Sequence, residues 1–453
     1  MIASADDVED RAWGAYRARE RAMAQQTSLG KADERVALVA SDVAPAWSER
    51  RPAGRILELD AVRGFAALTV VVGHSLTVFP SFDEPTRSAG GLDLVNAVKY
   101  SPLALVLSGN EAVILFFILS GFVLTLPFMG ARAPSYSAFL AKRVCRIGLP
   151  YLAAVALAIA CAAIFGGERL PGLSEWVNAR WQDGFGAGVL IGHVTLVGSF
   201  DNTQYDPVLW SLVHEMRISI FFPLLVLAVV LLGATRSLAA ALVLLGAGLA
   251  LTKAGTRLGH PSDYFRTLLY VVCFVAGILL ARRRHEVVAW FARLTSAARA
   301  ALLIAGVLLY TYPSWMDPAW LSQAHRHKID DILAATIGGC VFMVWALACE
   351  PVARFLRGRV PQFLGRISYS LYLLHAIVLL ALAHALHGTL PTGAIVALMW
   401  IVTFPLAAAS QRWVELPAIG LGKRLAAGLD ERRRAVRAAD APAPAPSMDR
   451  SAT

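Results

Sequence analysis

Long runs of apolar residues, separated by short polar or charged stretches, follow one another along most of the chain. A helix needs about 20 apolar residues to cross the hydrocarbon core of a bilayer, and most of the runs approach that length. Eleven runs are candidates, at residues 64–80, 103–128, 147–165, 185–198, 213–233, 238–251, 267–281, 300–312, 332–348, 367–386 and 393–410. The pattern predicts an all-α fold, a polytopic integral membrane helical bundle.

The positions of the basic residues indicate that one of the eleven runs does not cross. Cytoplasmic loops of membrane proteins are enriched in Lys and Arg, and the chain follows this rule only if one run is left out. The run 185–198 is the weakest, because it is short and contains four glycines and His193. We therefore predict about ten transmembrane helices with both termini in the cytoplasm, plus one re-entrant segment that is buried in protein or lines a cavity. The cytoplasmic basic groups are then Lys142, Arg143 and Arg146, then Arg236, then Arg282, Arg283 and Arg284, then Arg354, Arg357 and Arg359, then Lys423 and Arg424.

Composition agrees with a protein that lies in the lipid bilayer. The chain is 57% hydrophobic and 16% charged, whereas soluble domains are about 45–50% apolar and about 25% charged. Basic cytoplasmic loops explain the net charge of +10, so we predict no nucleic-acid partner. The five cysteines have neither metal-ligand nor disulfide spacing, and no metal is expected.

The same pattern divides the chain into three parts. Residues 1–55 form a charged cytoplasmic N-terminal tail, and residues 56–420 form the transmembrane domain. Residues 421–453 are charged and then rich in Ala and Pro. We expect a disordered cytoplasmic C-terminal tail there, because such a composition cannot bury a core.

The first apolar run carries two notable ionisable residues, Arg63 near its start and His74 well inside it. Eleven positions separate them, which is about three helical turns, so both share one helix face about 16 Å apart along the axis. An ionisable residue inside a membrane span is a candidate for function, so we expect both to face one cavity. The alternative is a histidine that is packed in the bundle and bonded to a backbone carbonyl.

Two stretches nearer the middle of the chain add charged groups. Arg143 and Arg146 are helix neighbours that could bind a phosphorylated ligand, although an ordinary cytoplasmic loop has the same composition. Farther on, Glu215 stands at the start of a span beside Trp210 and Arg217. A carboxylate is costly in lipid, so Glu215 faces a cavity or pairs with Arg217 or another cation.

The stretch from Leu364 to His375 places Ser368, Tyr372 and His375 on roughly one helix face. With Arg366 at the inner surface, His375 lies about two and a half turns deep, at a level comparable to His74. Two histidines at mid-depth are less easily explained by packing than one.

At these residues the chain resembles the membrane O-acyltransferases of the acyltransferase-3 family. The matching pieces occur in family order and cover about residues 55–420. They are Arg63 and His74, Phe117 to Phe122, Arg143 and Arg146, Trp210 to Glu215, Ser368 to His375, and Trp413 to Pro417. The family usually has an aromatic pair after Glu215, where this chain has Ile218 and Ser219.

The resemblance implies an enzyme of the bacterial inner membrane that moves an acyl group, commonly acetyl, from cytoplasmic acyl-coenzyme A to a hydroxyl of a carbohydrate or glycolipid acceptor. His74 is then the catalytic histidine, Arg63 its partner, and Arg143 and Arg146 part of the donor-binding site. We do not expect the extra esterase-like domain that some relatives append, so a partner protein is expected to deliver the acceptor.

The residues leave several points open. Glu215 or Asp60 could orient an imidazole or neutralise Arg63, so Glu215 is counted with the catalytic candidates. The remaining cavity candidates are Asp60, Ser120, Trp210, Tyr372 and His375. His74 could act as a general base or form an acyl-histidine intermediate. A transporter of a lipid-linked or acidic solute is the alternative function, since buried His, Glu and Arg also form proton or substrate paths.

Overall fold

The computed structural model describes residues 56–83, 94–130, 133–182, 186–196, 200–258, 263–315 and 329–439. Within these ranges the protein is a bundle of α-helices without strands. The helices are α1 Leu57–Thr77, α2 Pro80–Asp83, α3 Leu94–Lys99, α4 Gly109–Thr125, α5 Tyr136–Arg143, α6 Leu149–Phe165, α7 Glu175–Asn178, α8 Ala187–Thr195, α9 Leu209–Arg257, α10 Asp263–Arg282, α11 Arg284–Arg293, α12 Ser296–Tyr310, α13 Tyr312–Trp315, α14 Ile329–Ala348, α15 Glu350–Leu356, α16 Arg359–Leu386, α17 Thr392–Ser410 and α18 Leu416–Ala439. Short 3₁₀ turns lie at Pro102–Val106 and Leu126–Met129, and π-helical turns at Val144–Gly148 and Gln411–Glu415.

In the described part of the chain, eight helical stretches are long and apolar enough to cross a membrane. One of them, α9, has 49 residues and is interrupted at Gly233, whose φ of +76° and ψ of +176° lie outside the helical region. Its two halves correspond to two of the predicted spans. With the shorter apolar helix α12 the structure therefore contains the ten predicted apolar segments, and the prediction of an all-α polytopic membrane bundle is confirmed.

The run 185–198 forms only the nine-residue helix α8, which is too short to cross a bilayer. It is buried against the bundle through His193, whose Nδ1 lies 2.7 Å from the Tyr151 hydroxyl. This agrees with a segment that does not cross.

The C-terminal residues 416–439 form the helix α18, which packs along α5. Most of these residues were expected to be disordered, and that prediction is wrong for them. Residues 1–55 and 440–453 lie outside the described part.

Helices α1 and α16 pack closely along their length and bring the two halves of the site together. At their crossing, a Cβ on Gly64 would lie 2.5 Å from the Gly365 nitrogen, and a Cβ on Gly365 would lie 2.5 Å from the Asp60 carbonyl oxygen. Only glycine permits this backbone approach. The close crossing places the residues after Gly64 opposite the residues after Gly365.

The predicted cytoplasmic basic groups gather at one end of the bundle. Arg357 Nη1 lies 3.4 Å from the Glu58 carboxylate at the start of α1. Arg284 Nη1 lies 3.6 Å from Met129 Sδ, just after α4. Helix α18 runs beside α5, which carries Lys142 and Arg143. At the opposite end, the Ser174 amide donates to the Val78 carbonyl just after α1, at 3.0 Å.

Candidate active site

A cavity with both charged and apolar lining residues lies inside the bundle at the end where the basic groups gather. It is narrow, with a volume of about 50 Å³, and it is partly open to solvent. Its charged lining residues are Arg63 of α1, Arg143 and Arg146 around the π-helical turn, and Glu215 of α9. Three guanidinium groups against one carboxylate make this cavity suited to an anionic ligand.

Glu215 pairs with Arg143 and not with Arg217. Arg143 Nη2 donates to Glu215 Oε1 at 2.7 Å, and the Ser120 hydroxyl donates to the same oxygen at 2.7 Å. Arg143 Nε donates to the Ser219 hydroxyl at 3.1 Å. Three hydrogen bonds thus fix the guanidinium and the carboxylate in place, and the side-chain exposure of the pair is only 7% and 15%. Arg217 instead contacts Asp263 of α10.

The π-helical turn Val144–Gly148 carries Arg146 into the cavity. Such turns are rare and are often found at functional sites. The Tyr369 hydroxyl of α16 donates to the Ile147 carbonyl within this turn at 2.9 Å. This bond joins the turn to α16, which also provides the cavity-lining residues Ser368 and Tyr372.

His74 and His375 form a hydrogen-bonded pair just beyond Tyr372. His74 Nδ1 lies 2.9 Å from His375 Nε2, and the two ring planes differ by only 16°, with their centroids 5.1 Å apart. His375 is fully buried, and its Nδ1 lies 3.1 Å from the Leu371 carbonyl oxygen.

The hydrogen bonds of the pair determine its tautomers. A carbonyl oxygen only accepts, so His375 Nδ1 carries a proton and, in a neutral ring, Nε2 is the acceptor. His74 Nδ1 must then donate to it. In neutral His74 the remaining lone pair therefore lies on Nε2, which is the atom that can act as a base or nucleophile.

A connecting segment, residues 166–182, covers His74 at the end remote from the arginines. The Trp176 ring of α7 lies 5.0 Å from the His74 ring, and the Arg180 guanidinium lies 4.7 Å from the Trp176 centroid. The segment is held by Asn178, whose Oδ1 accepts from the Leu170 amide at 2.7 Å. His74 thus lies between the basic cavity and this segment.

The structure brings most of the predicted site residues together. Those that line the cavity are Arg63, Ser120, Arg143, Arg146, Glu215 and Tyr372. His74 and His375 are not among the lining residues; their hydrogen-bonded pair lies beside the lining residue Tyr372, whose ring centroid is 6.2 Å from that of His375. Asp60 and Trp210 are not among the cavity-lining residues, and Trp210 packs on His214 and Tyr270 instead.

Sequence reasoning missed two contributions to the site. Ser219, noted only as a departure from the family pattern, accepts a hydrogen bond from Arg143 and so helps to position a residue of the cavity. Trp176 and Arg180 lie in a connecting segment without helical periodicity. Their residue types were therefore the only signal in the sequence that could have identified them as candidate site residues.

Comparison with known families decides the class of this arrangement. The model of the acyltransferase-3 domain, described as an acyltransferase domain, matches residues 56–410. The chain belongs to the acyltransferase-3 family. No curated protein and no solved structure matches the chain.

This acyltransferase-3 domain includes every residue of the cavity and both histidines. The protein is therefore a multi-pass membrane acyltransferase, and the match favours this class over the transporter alternative. The matched residues begin at the start of α1 and end with α17, so the family domain coincides with the bundle that positions the site.

Proposed function

We propose that this acyltransferase moves an acyl group, expected to be acetyl, from acyl-coenzyme A to a hydroxyl of a carbohydrate or glycolipid. The observation that carries the proposal is the His74–His375 pair beside Tyr372, a residue that lines the same cavity as three arginines. A base or nucleophile at one end and phosphate-binding groups at the other suit a long, anionic thioester donor.

The donor would bind through its phosphates to the basic residues of the cavity. Arg143 is fixed by Glu215 and Ser219, and Arg63 and Arg146 complete the positive surface. Guanidinium groups form strong, charge-assisted hydrogen bonds to phosphate oxygens. The thioester would then extend past Phe116 and Tyr372, whose rings contact edge to face with centroids 5.5 Å apart, toward the histidine pair.

The chemical step would use His74 Nε2. As a general base it removes the proton from the acceptor hydroxyl while the oxygen attacks the thioester carbonyl carbon. The carbon–sulfur bond breaks, and the leaving thiolate takes the proton from His74. The acyl-histidine route uses the same nitrogen as nucleophile. In either route His375 acts as a positioning residue, because it holds His74 in the tautomer that leaves Nε2 available.

The basic end of the bundle would face the cytoplasm of a bacterial inner membrane. This orientation follows the positive-inside rule, and the contacts at Glu58 and Met129 that gather the basic groups support it. The 166–182 segment would then lie at the outer surface. The donor and the acceptor would approach His74 from opposite sides, with a partner protein delivering the acceptor where one is needed.

The test is transfer of label from radiolabelled acetyl-coenzyme A into glycan and lipid fractions of membranes that contain the wild type or His74→Gln. Loss of a general base typically costs about 10²–10⁴-fold in rate. We expect label in a glycan or glycolipid fraction with the wild type and a loss of that size with the variant.

Binding of coenzyme A to the purified protein in detergent provides the control. We expect His74→Gln to bind coenzyme A as the wild type does, whereas Arg146→Gln should bind it more weakly. Equal labelling with wild type and His74→Gln, in a protein that is correctly inserted, would exclude His74 from the reaction. Absence of label with the wild type would exclude the proposed donor or acceptor.

A further inference from the structure

The C-terminal helix α18 packs directly on the π-helical turn that carries Arg146 into the cavity. Three small residues of α18 are buried and repeat every four positions, so they form one stripe along the helix: Ala418, Gly422 and Ala426. A Cβ on Gly422 would lie 3.0 Å from the Cβ of Cys145, within the turn Val144–Gly148, and 3.2 Å from the Cα of Lys142. The stripe therefore allows close contact between α18 and the turn.

Hydrogen bonds fix α18 to the bundle near both of its ends. Glu415, directly before α18, is buried, and its Oε2 accepts from the Ser370 hydroxyl of α16 at 3.1 Å. Farther along, Asp430 Oδ1 accepts from the hydroxyl of Ser135, the residue before α5, at 2.6 Å. The matched family domain ends at residue 410, so α18 is a support for the turn that lies beyond that domain.

The exposed surface of α18 is both apolar and basic. At about 100° per residue, Leu421 and Leu425 lie on one flank of the buried stripe, Lys423 lies on the other flank, and Arg424 lies on the far side. All four side chains are exposed, and the Trp413 side chain, just before the helix, is 72% exposed. Leucines and cations together on one helix are typical of helices that lie at a bilayer surface, where Trp is also enriched.

An anionic phospholipid is the ligand that fits this exposed surface. Only the π-helical turn Gln411–Glu415 separates α18 from the apolar helix α17, so α18 begins where a predicted span ends. At that level acyl chains cover apolar side chains, and anionic headgroups attract Lys and Arg. A soluble anion would contact the two cations but would leave the leucines in water.

We propose that the exposed surface of α18 binds anionic phospholipid of the cytoplasmic leaflet, and that this contact holds the turn Val144–Gly148 in the position that presents Arg146 to the cavity. The lipid-binding surface goes beyond the proposed function. The effect on the turn rests on that function, because Arg146 is there a residue that binds the donor.

The experiment uses the full-length protein and measures two affinities. The first is the Kd for phosphatidylglycerol, from titration of the delipidated protein in detergent followed by native mass spectrometry. The second is the Kd for coenzyme A in nanodiscs of phosphatidylcholine with and without phosphatidylglycerol. The test variant is Lys423→Gln/Arg424→Gln. The matched control Arg283→Gln/Arg293→Gln removes two exposed cations at the start and the end of α11.

We expect Lys423→Gln/Arg424→Gln to raise the Kd for phosphatidylglycerol about 30-fold, as expected for removal of two cations from an anionic surface. The wild type should bind coenzyme A more tightly when phosphatidylglycerol is present, although negative headgroups by themselves would repel this anionic ligand. The double variant should lose this response, because its turn no longer gains support from the lipid. The control should behave as the wild type does.

The lipid-binding surface is overturned if the wild type and Lys423→Gln/Arg424→Gln bind phosphatidylglycerol equally, or if the control loses as much affinity. A dimer that only the double variant loses, with an unchanged Kd for the lipid, would assign the surface to a second copy of the chain and would also overturn the proposal. An unresponsive coenzyme A affinity in the wild type would overturn the effect on the turn. Failure of the proposed function is distinguishable, because the wild type would then bind no coenzyme A in either nanodisc, while the lipid titration would still decide the role of α18.

Discussion

Replacement of His375 by methionine should lower kcat while leaving donor binding intact. Methionine has a similar volume but no nitrogen at the position of Nε2, so it removes the acceptor for His74 Nδ1 at 2.9 Å. His74 then loses the contact that fixes its ring and its tautomer. A buried hydrogen-bonding group left without its partner costs about 1–3 kcal/mol, which corresponds to about 5- to 150-fold in rate if the catalytic orientation depends on that bond.

A glutamine at position 375 distinguishes positioning from simple packing. Its amide oxygen can accept from His74 Nδ1, so His375→Gln should recover much of the activity that His375→Met loses. His384→Met, on the same helix but against Trp181, provides a control for the loss of a histidine. The assay is acetyl transfer under saturating acetyl-coenzyme A, with coenzyme A binding measured in parallel. Wild-type kcat in His375→Met, or equal losses in the methionine and glutamine variants, would refute the reasoning.

Three further changes test the rest of the architecture by thermal unfolding in detergent. Arg143→Met leaves the Glu215 carboxylate buried without its cation and should lower the free energy of unfolding by about 3–5 kcal/mol. Adding Glu215→Gln should restore stability but not coenzyme A binding. A double variant as unstable as Arg143→Met would contradict the pairing. Gly365→Ala places a Cβ 2.5 Å from the Asp60 carbonyl oxygen, so it should lower the free energy of unfolding by about 1–3 kcal/mol and reduce acyl transfer. The control Gly393→Ala, with no atom within 4 Å of the new Cβ, should change neither. Equal effects of the two variants would rule out the close crossing of α1 and α16. Because the pKa of Asp206 is raised to about 8, the folded protein keeps a proton that the unfolded chain releases above about pH 4, so stability should fall as the pH rises from about 4 to 8. Asp206→Asn should flatten this dependence, and an unchanged slope would show that Asp206 is ionised in the fold.

The bundle could be predicted because hydrophobicity sums over whole segments. Eleven apolar runs follow from run length, and the positions of the basic residues reduce the predicted spans to ten. Even the interruption at Gly233 coincides with the end of a predicted run. The short helix α8 was set apart because its glycines and length oppose a crossing. The helix α18 was missed, because charged and alanine-rich sequence is compatible with both helix and disorder until a neighbour such as α5 is known.

The site was less predictable because its contacts join residues far apart in sequence. Arg217 was one of the partners predicted for Glu215, yet residues two positions apart on a helix do not face each other. The actual partner, Arg143, is 72 positions away. Helical spacing placed His74 and His375 at similar depth but could not show that their rings touch. That contact depends on the crossing of α1 and α16, which Gly64 and Gly365 allow.

The sequence separation of the two histidines also determines when the site can form during biosynthesis. His74 and His375 are 301 positions apart, so at about 5–20 residues per second the first span is made roughly 15–60 s before its partner helix. During that interval α1 lies in the membrane while α16, the helix that packs against Gly64 and His74 in the finished fold, has not yet been synthesised. Activity must therefore begin as a late step of assembly, and a nascent chain that stops before α16 contains the reactive histidine but cannot orient it.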